Sequence, residues 1–359
     1  MFKQNKGEWS ELYVFLKLLG DGGIFAADSN LNKITELYYP LIAIIRNENN
    51  IKKTYQNNKS NINILDQNGS QILSLPIMEF QQKANILLNA IKNSKETTFE
   101  ISEIETFMQL IKCNKVKADS KDKSDINIVL HDCKTYTDTS FGFSIKSRLG
   151  SPSTLLNAGK TTNFKYKILG KLTKEQIEKI NNINSSSKIK DRLLKLKELN
   201  CIIDYKDMDN NTFKSNLQMI DIQFPQIIAT YLKQYYTGNG KLFSELTPII
   251  EKINPCDLNM KMPHKYYEYK VKNFLTDVAL GMTPAHHWTG NFQATGGYII
   301  VKEDGEIFCY HIYNHNEFQD YIFKNTKFET PSTSRYEFGK IFEENGQYFI
   351  KLNLQIRFI

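Results

Sequence analysis

Asp125, Ser144 and Lys146 place a carboxylate, a hydroxyl and an amine within one short stretch of this 359-residue chain. Their spacing follows two strand patterns. Ile126, Ile128 and Leu130 alternate with Asp125 and Asn127, and Phe141, Phe143 and Ile145 alternate with Gly142, Ser144 and Lys146. Period-two alternation sends the apolar set to one face of each strand and the polar set to the other. A polar, turn-rich loop joins the two patterns. If they pair as a hairpin, all three polar side chains project from one face. A carboxylate there is a ligand for a hard cation such as Mg2+, which takes one or two carboxylates and keeps several waters. An amine in apolar surroundings holds its proton less tightly and can orient or deprotonate a water. Kept charged, it stabilises negative charge developing in a transition state. Together these groups suit metal-assisted hydrolysis.

The elements that must position them read as follows. The spacing predicts a helix over residues 7–20, with Ser10 and Lys17 on one side and Leu12, Phe15, Leu16 and Leu19 opposite. Glu8 falls near the middle of the apolar side and Glu11 at its edge. A carboxylate in the first turn favours the helix N-terminus, which accounts for Glu8; alternatively one of the two acids reaches the polar face of the hairpin. Asp21-Gly22-Gly23 ends the helix, residues 26–48 are strand-like, and residues 47–62 read as an exposed loop or hairpin. Helical spacing recurs over 78–93, within 96–114, as two charged helices over 173–200, and over 216–236 and 241–253. Strand alternation returns near residue 297 with an Asp304-Gly305 turn, and residues 335–359 read as a hairpin turning near Glu344-Asn345-Gly346. The expected architecture is α/β: one domain over 1–359 with a mixed central sheet flanked by helices. Its sub-regions are a core over 1–170, a helical insertion over 171–285 and a β-rich part over 286–359.

Composition bounds the function. With 41% apolar residues, 19 Tyr and 22 Phe, the chain can fill a large core. A net charge of +7 permits polyanion binding without requiring it. Five cysteines without a CxxC pair argue for buried thiols in a reducing cytoplasm and against zinc fingers. Neither a membrane-spanning apolar run nor a signal-peptide core is evident, so a cytoplasmic protein with no membrane partner is expected. His311 and His315 lack a third ligand at metal-site spacing and read as polar DNA-contacting or surface residues. His286-His287-Trp288 marks a loop. The glycines of LGDGG and TGG lack the strand–loop–helix context of a nucleotide-binding loop.

Ser124-Asp125 and Ser144-Ile145-Lys146 resemble a degenerate PD-(D/E)xK nuclease signature. Three longer blocks, KGEWSELYVFLKLLGDG, GFSIKSRLGSPSTLLNAGKTTNF and ETPSTSRYEFG, resemble in the same order the HpaII family of type II restriction endonucleases. The resemblance implies a PD-(D/E)xK restriction-endonuclease-like core that cleaves double-stranded DNA at a short, GC-rich, CCGG-like site. It implies Mg2+ as cofactor, a homodimer on DNA and a cognate DNA methyltransferase in the same system. Lys6-Gly7 followed by Glu11 matches the KGxxxE opening of several nucleases of the PD-(D/E)xK superfamily, so Asp125 and Glu11, with Glu8 close behind, are the expected metal ligands, with Ser144 and Lys146 completing the catalytic set. Ser144 departs from the pattern, which has a carboxylate there. The site then holds one metal or borrows an acid from Asp119, Asp122 or Asp132. Expected DNA contacts are Arg148, Ser151, Thr154, Asn157, Lys160, Thr162 and Asn163 after the lysine, and Ser334 and Arg335 near the C-terminus. Arg335 is read as a guanine contact and Arg148 as a backbone contact. The alternatives are a structure-specific or repair nuclease of the same superfamily and a catalytically inactive DNA-binding relative.

Overall fold

The computed structural model describes residues 2–119, 124–133 and 136–359. Helix α1 (Lys6–Asp21) leads into strands β1 (Gly23–Ala27), β2 (Lys33–Glu48), β3 (Ile51–Asn58), β4 (Asn61–Leu65) and β5 (Gln71–Pro76). Helices α2 (Ile77–Asn93) and α3 (Ser102–Leu110) precede β6 (Ile126–Asp132) and β7 (Thr137–Ser147). Next come β8 (Thr154–Leu156), β9 (Asn163–Leu169), α4 (Lys174–Asn181), α5 (Lys188–Glu198) and β10 (Ile202–Met208). Helices α6 (Asn211–Ile220), α7 (Phe224–Thr237), α8 (Phe243–Ile253) and α9 (Tyr266–Leu280) follow. The chain continues through β11 (Gly297–Val301), β12 (Ile307–His311), α10 (His315–Lys324), β13 (Thr326–Phe328) and α11 (Thr333–Tyr336). It closes with β14 (Ile341–Glu344), β15 (Gln347–Asn353) and β16 (Ile356–Phe358). The mixed α/β class expected from the sequence is the one observed. No helix among the described residues is long and apolar enough to cross a membrane.

Two compact units form: Met1–Ser153 with Phe292–Tyr321, and Thr154–Asn291 with Ile322–Ile359. In the first, nine strands run in the order β1-β12-β11-β7-β6-β2-β3-β4-β5, and a β1–β2 pairing turns six of them into a closed circuit. β7 pairs antiparallel with β6 and parallel with β11, so the strand carrying Ser144 and Lys146 has neighbours on both edges. Residues 47–62 are paired strands rather than a loop. Asn49 and Asn50 both take positive φ, +53° and +63°, and so make the tight β2–β3 turn. The polar stretch after Leu130 is likewise largely strand. His131 pairs in register with Asp138, their side chains 2.7 Å apart, and such cross-strand polar pairs stabilise a solvent face.

α1 was expected to show a polar side at Ser10 and Lys17. It is instead enclosed on most sides, with Trp9, Ser10, Leu12, Val14, Phe15, Leu16, Leu18 and Leu19 fully buried. It packs against α2, β1, β2 and β7, joining Phe80, Leu87, Ile128, Phe143 and Ile299 in one core. Each large side chain so buried stabilises the fold by about 1.5–3 kcal/mol. Two hydrogen bonds fix the helix, from Trp9 Nε1 to the Phe99 carbonyl at 3.0 Å and from the Tyr13 hydroxyl to the Gly305 carbonyl.

The second unit contains the sheets β10-β9-β15-β14 and β13-β16-β8 with helices α4–α9. Phe164, Tyr166 and Ile168 of β9 are buried, and the Tyr166 hydroxyl donates to the Ala229 carbonyl at 2.7 Å. The C-terminal hairpin turns at Asn345-Gly346 as expected, but residues 333–336 are helical and β16 pairs with β8 and β13. Residues 216–236 are two helices, broken around Asp221 and restarted at Phe224-Pro225. The cysteines also depart from expectation. Cys113, Cys201 and Cys309 are buried, but Cys133 is exposed and Cys256 half-buried, all as free thiols. His311, expected as a DNA-contacting or surface residue, is buried against Tyr39 and Phe141, where its ring joins an aromatic cluster.

Candidate active site

The β6–β7 register aligns Ile126 with Phe143 and so sets Asp125, one residue earlier, opposite Ser144. The Asp125 amide donates to the Phe143 carbonyl at 2.8 Å. Its Oδ2 accepts from the Ser144 hydroxyl at 3.0 Å and from the Ile145 amide at 2.8 Å. Gly142 makes this approach possible: a Cβ there would stand 2.7 Å from the Ser124 side chain. The hydroxyl at 144 therefore fixes the carboxylate in place. Two residues on, Lys146 points its ammonium over the Tyr298 ring, 5.2 Å from the centroid, and makes no ion pair among the described residues.

α1 brings the second acid. Glu8 closes a capping box with Asn5, bonding its amide at 2.9 Å, and is occupied at the helix start. Glu11, one turn along, shares a single ammonium with Asp125. Lys117 Nζ lies 3.1 Å from Glu11 Oε1 and 3.3 Å from Asp125 Oδ1. The other Glu11 oxygen, Oε2, is buried without a hydrogen-bond partner among the described residues. Burial pushes the Glu11 carboxyl up to about 7, with the Asp125 charge adding to it and Lys117 and Lys146 opposing it. Burial also lowers the affinity of Lys146 for its proton, although Asp125 and Glu11 resist the change. Lys117 moves the other way, because its two carboxylate partners outweigh the burial that would lower it. Two amines thus face one acid pair, one engaged as a counter-ion and one held apart.

The structure also locates the acids weighed as substitutes for the missing carboxylate. Asp119 is engaged with Lys115 and the Asn49 amide, at 2.6 Å each. Asp132 lies at the far end of β6, opposite Thr137, and Asp122 falls outside the described residues. Among the described residues no group of three or more His, Cys, Asp or Glu side chains is placed to hold a metal.

Across the full chain, the profile of the HpaII restriction endonuclease family matches residues 5–358. The chain belongs to the HpaII restriction endonuclease family. A type II restriction enzyme, HpaII of Haemophilus parainfluenzae, is 45% identical over 359 residues, covering 100% of this chain and 99% of that protein. No solved structure matches the chain. Membership in the HpaII family makes it a type II site-specific deoxyribonuclease acting on double-stranded DNA.

The expected DNA-contacting residues of this family member fall into three settings. Arg148 binds the Val301 carbonyl through its amide at 2.9 Å and Tyr321 through its side chain, while Ser151 is exposed. In the second unit, Thr154 is half-buried opposite Arg357, Asn157 is exposed, and Lys160 pairs with Glu337. Thr162 and Asn163 are buried and committed to the fold. Thr162 bonds the Gly159 carbonyl at 3.0 Å, and Asn163 bonds the Tyr336 carbonyl at 2.9 Å. Ser334 and Arg335 are exposed on α11, the guanidinium standing over the Tyr336 ring at 5.4 Å. Beside them opens a cleft of about 940 Å³ lined by Lys188, Lys190, Lys241, Lys327, Thr330 and Ser334. Sequence reasoning did not bring those lysines together in one cleft, and it did not place Lys117 or Tyr298 at the acid pair. Lys117 sits in an irregular segment with no periodicity to place it. Tyr298 arrives on β11, aligned with Ser144 across a parallel pairing that leaves no local signal.

Proposed function

We propose that this chain is a Mg2+-dependent endonuclease of PD-(D/E)xK type, cutting double-stranded DNA at a CCGG-like site as a two-fold dimer. A cognate methyltransferase would protect the same sequence. The observation that carries the reading is the buried Oε2 of Glu11, unpartnered among the described residues, on an acid that shares Lys117 with Asp125. A carboxylate pair with one open oxygen fits an oxygen-seeking cation that retains waters and leaves room for phosphate. Asp125 and Glu11 would hold Mg2+, which when bound neutralises phosphate charge and acidifies water. Ser144 keeps the Asp125 carboxylate aimed, in place of the acid of the family pattern. Lys146, with its proton loosened by burial, would orient the attacking water and take its proton as the water oxygen bonds phosphorus and the P–O bond to the leaving sugar oxygen breaks, that oxygen taking a proton from solvent. Arg335 would read a guanine edge, and the neighbouring lysine-lined cleft would carry phosphate contacts.

Digestion of one plasmid with and without Mg2+ tests the assignment. Discrete fragments with ends at a common short sequence are expected. Smeared or junction-dependent products would indicate a structure-directed nuclease, and binding without cleavage an inactive relative.

A further inference from the structure

Building on the metal assignment above, we propose that Lys117 is a resident counter-ion standing in the cation position, and that Mg2+ binds by displacing it. One ammonium bridges carboxylates brought by α1 and by the start of β6, at 3.1 and 3.3 Å. It neutralises one oxygen of each acid, so Mg2+ would hold both carboxylates only once that ammonium has left. Lys146 does not serve this purpose, since it stands over Tyr298 without an ion pair among the described residues.

The backbone that delivers Lys117 is held in place. Lys53 bonds the Lys112 carbonyl, Glu48 accepts from the Asn114 amide at 2.8 Å, and Arg46 bonds the Lys115 and Val116 carbonyls, the latter at 3.0 Å. The main chain is therefore fixed up to Val116, while the Lys117 side chain is half in solvent, 51% exposed against 15% for Glu11 and 17% for Asp125. The displacement is a rotation of that side chain alone. Lysine suits the task because its ammonium is a compact charge on a flexible stem and makes no bidentate grip on a carboxylate. The resident cation holds the acid pair together before metal arrives, at the cost of weaker metal binding. Lys117 is thus a positioning residue that sets the Mg2+ requirement.

The test is calorimetric titration of DNA-free protein with Mg2+ at pH 8.5. Wild type is compared with Lys117→Met, Lys117→Arg and Asp125→Asn. Removing a cation about 3 Å from two carboxylates should tighten Mg2+ binding by about tenfold or more in Lys117→Met. Lys117→Arg, which keeps a competing charge, should bind at least as weakly as wild type, and Asp125→Asn should lose binding. Should Lys117→Met be too unstable to titrate, the rise in melting temperature on adding Mg2+ replaces the titration, and that rise must be larger for Lys117→Gln than for wild type. Unchanged or weaker Mg2+ binding by Lys117→Met, with Asp125→Asn still abolishing it, overturns this inference and leaves the metal ligands standing. Binding unaffected by Asp125→Asn overturns both.

Discussion

Two charged clusters lie within the first unit, and they treat their acids in opposite ways. In one, Glu48 is held by Arg46 Nε at 2.7 Å, Lys53 at 3.5 Å and the Asn114 amide at 2.8 Å. Burial alone would raise its pKa, but the Arg46 charge and these hydrogen bonds prevail, and the carboxyl lies below its usual range. In the other, among the described residues, Glu11 has one ion pair and one bare oxygen, and burial wins, carrying the carboxyl to about 7. Sequence distance does not separate these sites, since Lys112–Lys117 touches both. What separates them is satisfaction. Where every oxygen has a partner the cluster holds structure; where one is left open among the described residues and a second amine stands apart, the arrangement suits the ligand proposed above.

The largest expected effect falls on the satisfied cluster. Glu48→Gln leaves Arg46 and Lys53 buried without their counter-charge, which should cost about 3–5 kcal/mol of stability in urea unfolding. The cleavage rate per folded molecule should stay near wild type. A rate loss larger than the loss of folded protein would erase the distinction. At the open cluster the pattern inverts. Asp125→Asn and Lys146→Ala should each reduce cleavage on the order of a hundredfold or more, with DNA binding in Ca2+ and the melting temperature largely retained. Single-turnover cleavage by either variant near the wild-type rate would remove it from the site.

The pH dependence separates the clusters next. Between pH 4.5 and about 7 folded Glu11 holds a proton that the unfolded chain releases, so metal-free stability falls as pH rises through that window. The Glu11 share, read as wild type minus Glu11→Gln, should be on the order of 2 kcal/mol after allowance for partial solvent screening. Glu48 has the opposite sign. Its contribution is present above the ordinary carboxylate range and is lost as pH falls through its lowered folded value. Denaturant unfolding of both variants across pH 3–8 checks the two slopes. The smallest effect concerns base reading: Arg335→Ala should reduce discrimination between cognate and one-base-altered duplexes by about 1–2 kcal/mol, and Arg148→Ala should weaken both equally. Competition binding in Ca2+ decides this, and full discrimination by Arg335→Ala would place base reading elsewhere.

Much of the hairpin site was legible because its signals are local. Alternation from Asp125 to Leu130 and from Phe141 to Lys146 fixes which side chains share a face, and the register follows. Glu11 was separated from Glu8 by the superfamily's KGxxxE opening and by the first-turn position of Glu8, and the Asn5-x-x-Glu8 spacing of the capping box that occupies Glu8 was a further signal left unread. Lys117 was hidden because its role depends on a segment with no repeating pattern, pinned by side chains from distant strands. The burial of Thr162 and Asn163 was equally hidden. Their polarity reads as surface, yet both spend their hydrogen bonds within the fold, with Asn163 accepting from Asn353 at 2.7 Å.

The insertion of β11 beside β7 sets a schedule. Residues 297–301 supply the parallel neighbour of the strand bearing Ser144 and Lys146, and they are made long after that strand. Until they emerge from the ribosome, one edge of β7 carries unpaired amides and carbonyls, and the Tyr298 ring is not yet beneath the Lys146 amine. A chain stopped before Gly297 is therefore expected to carry an open, aggregation-prone edge at β7.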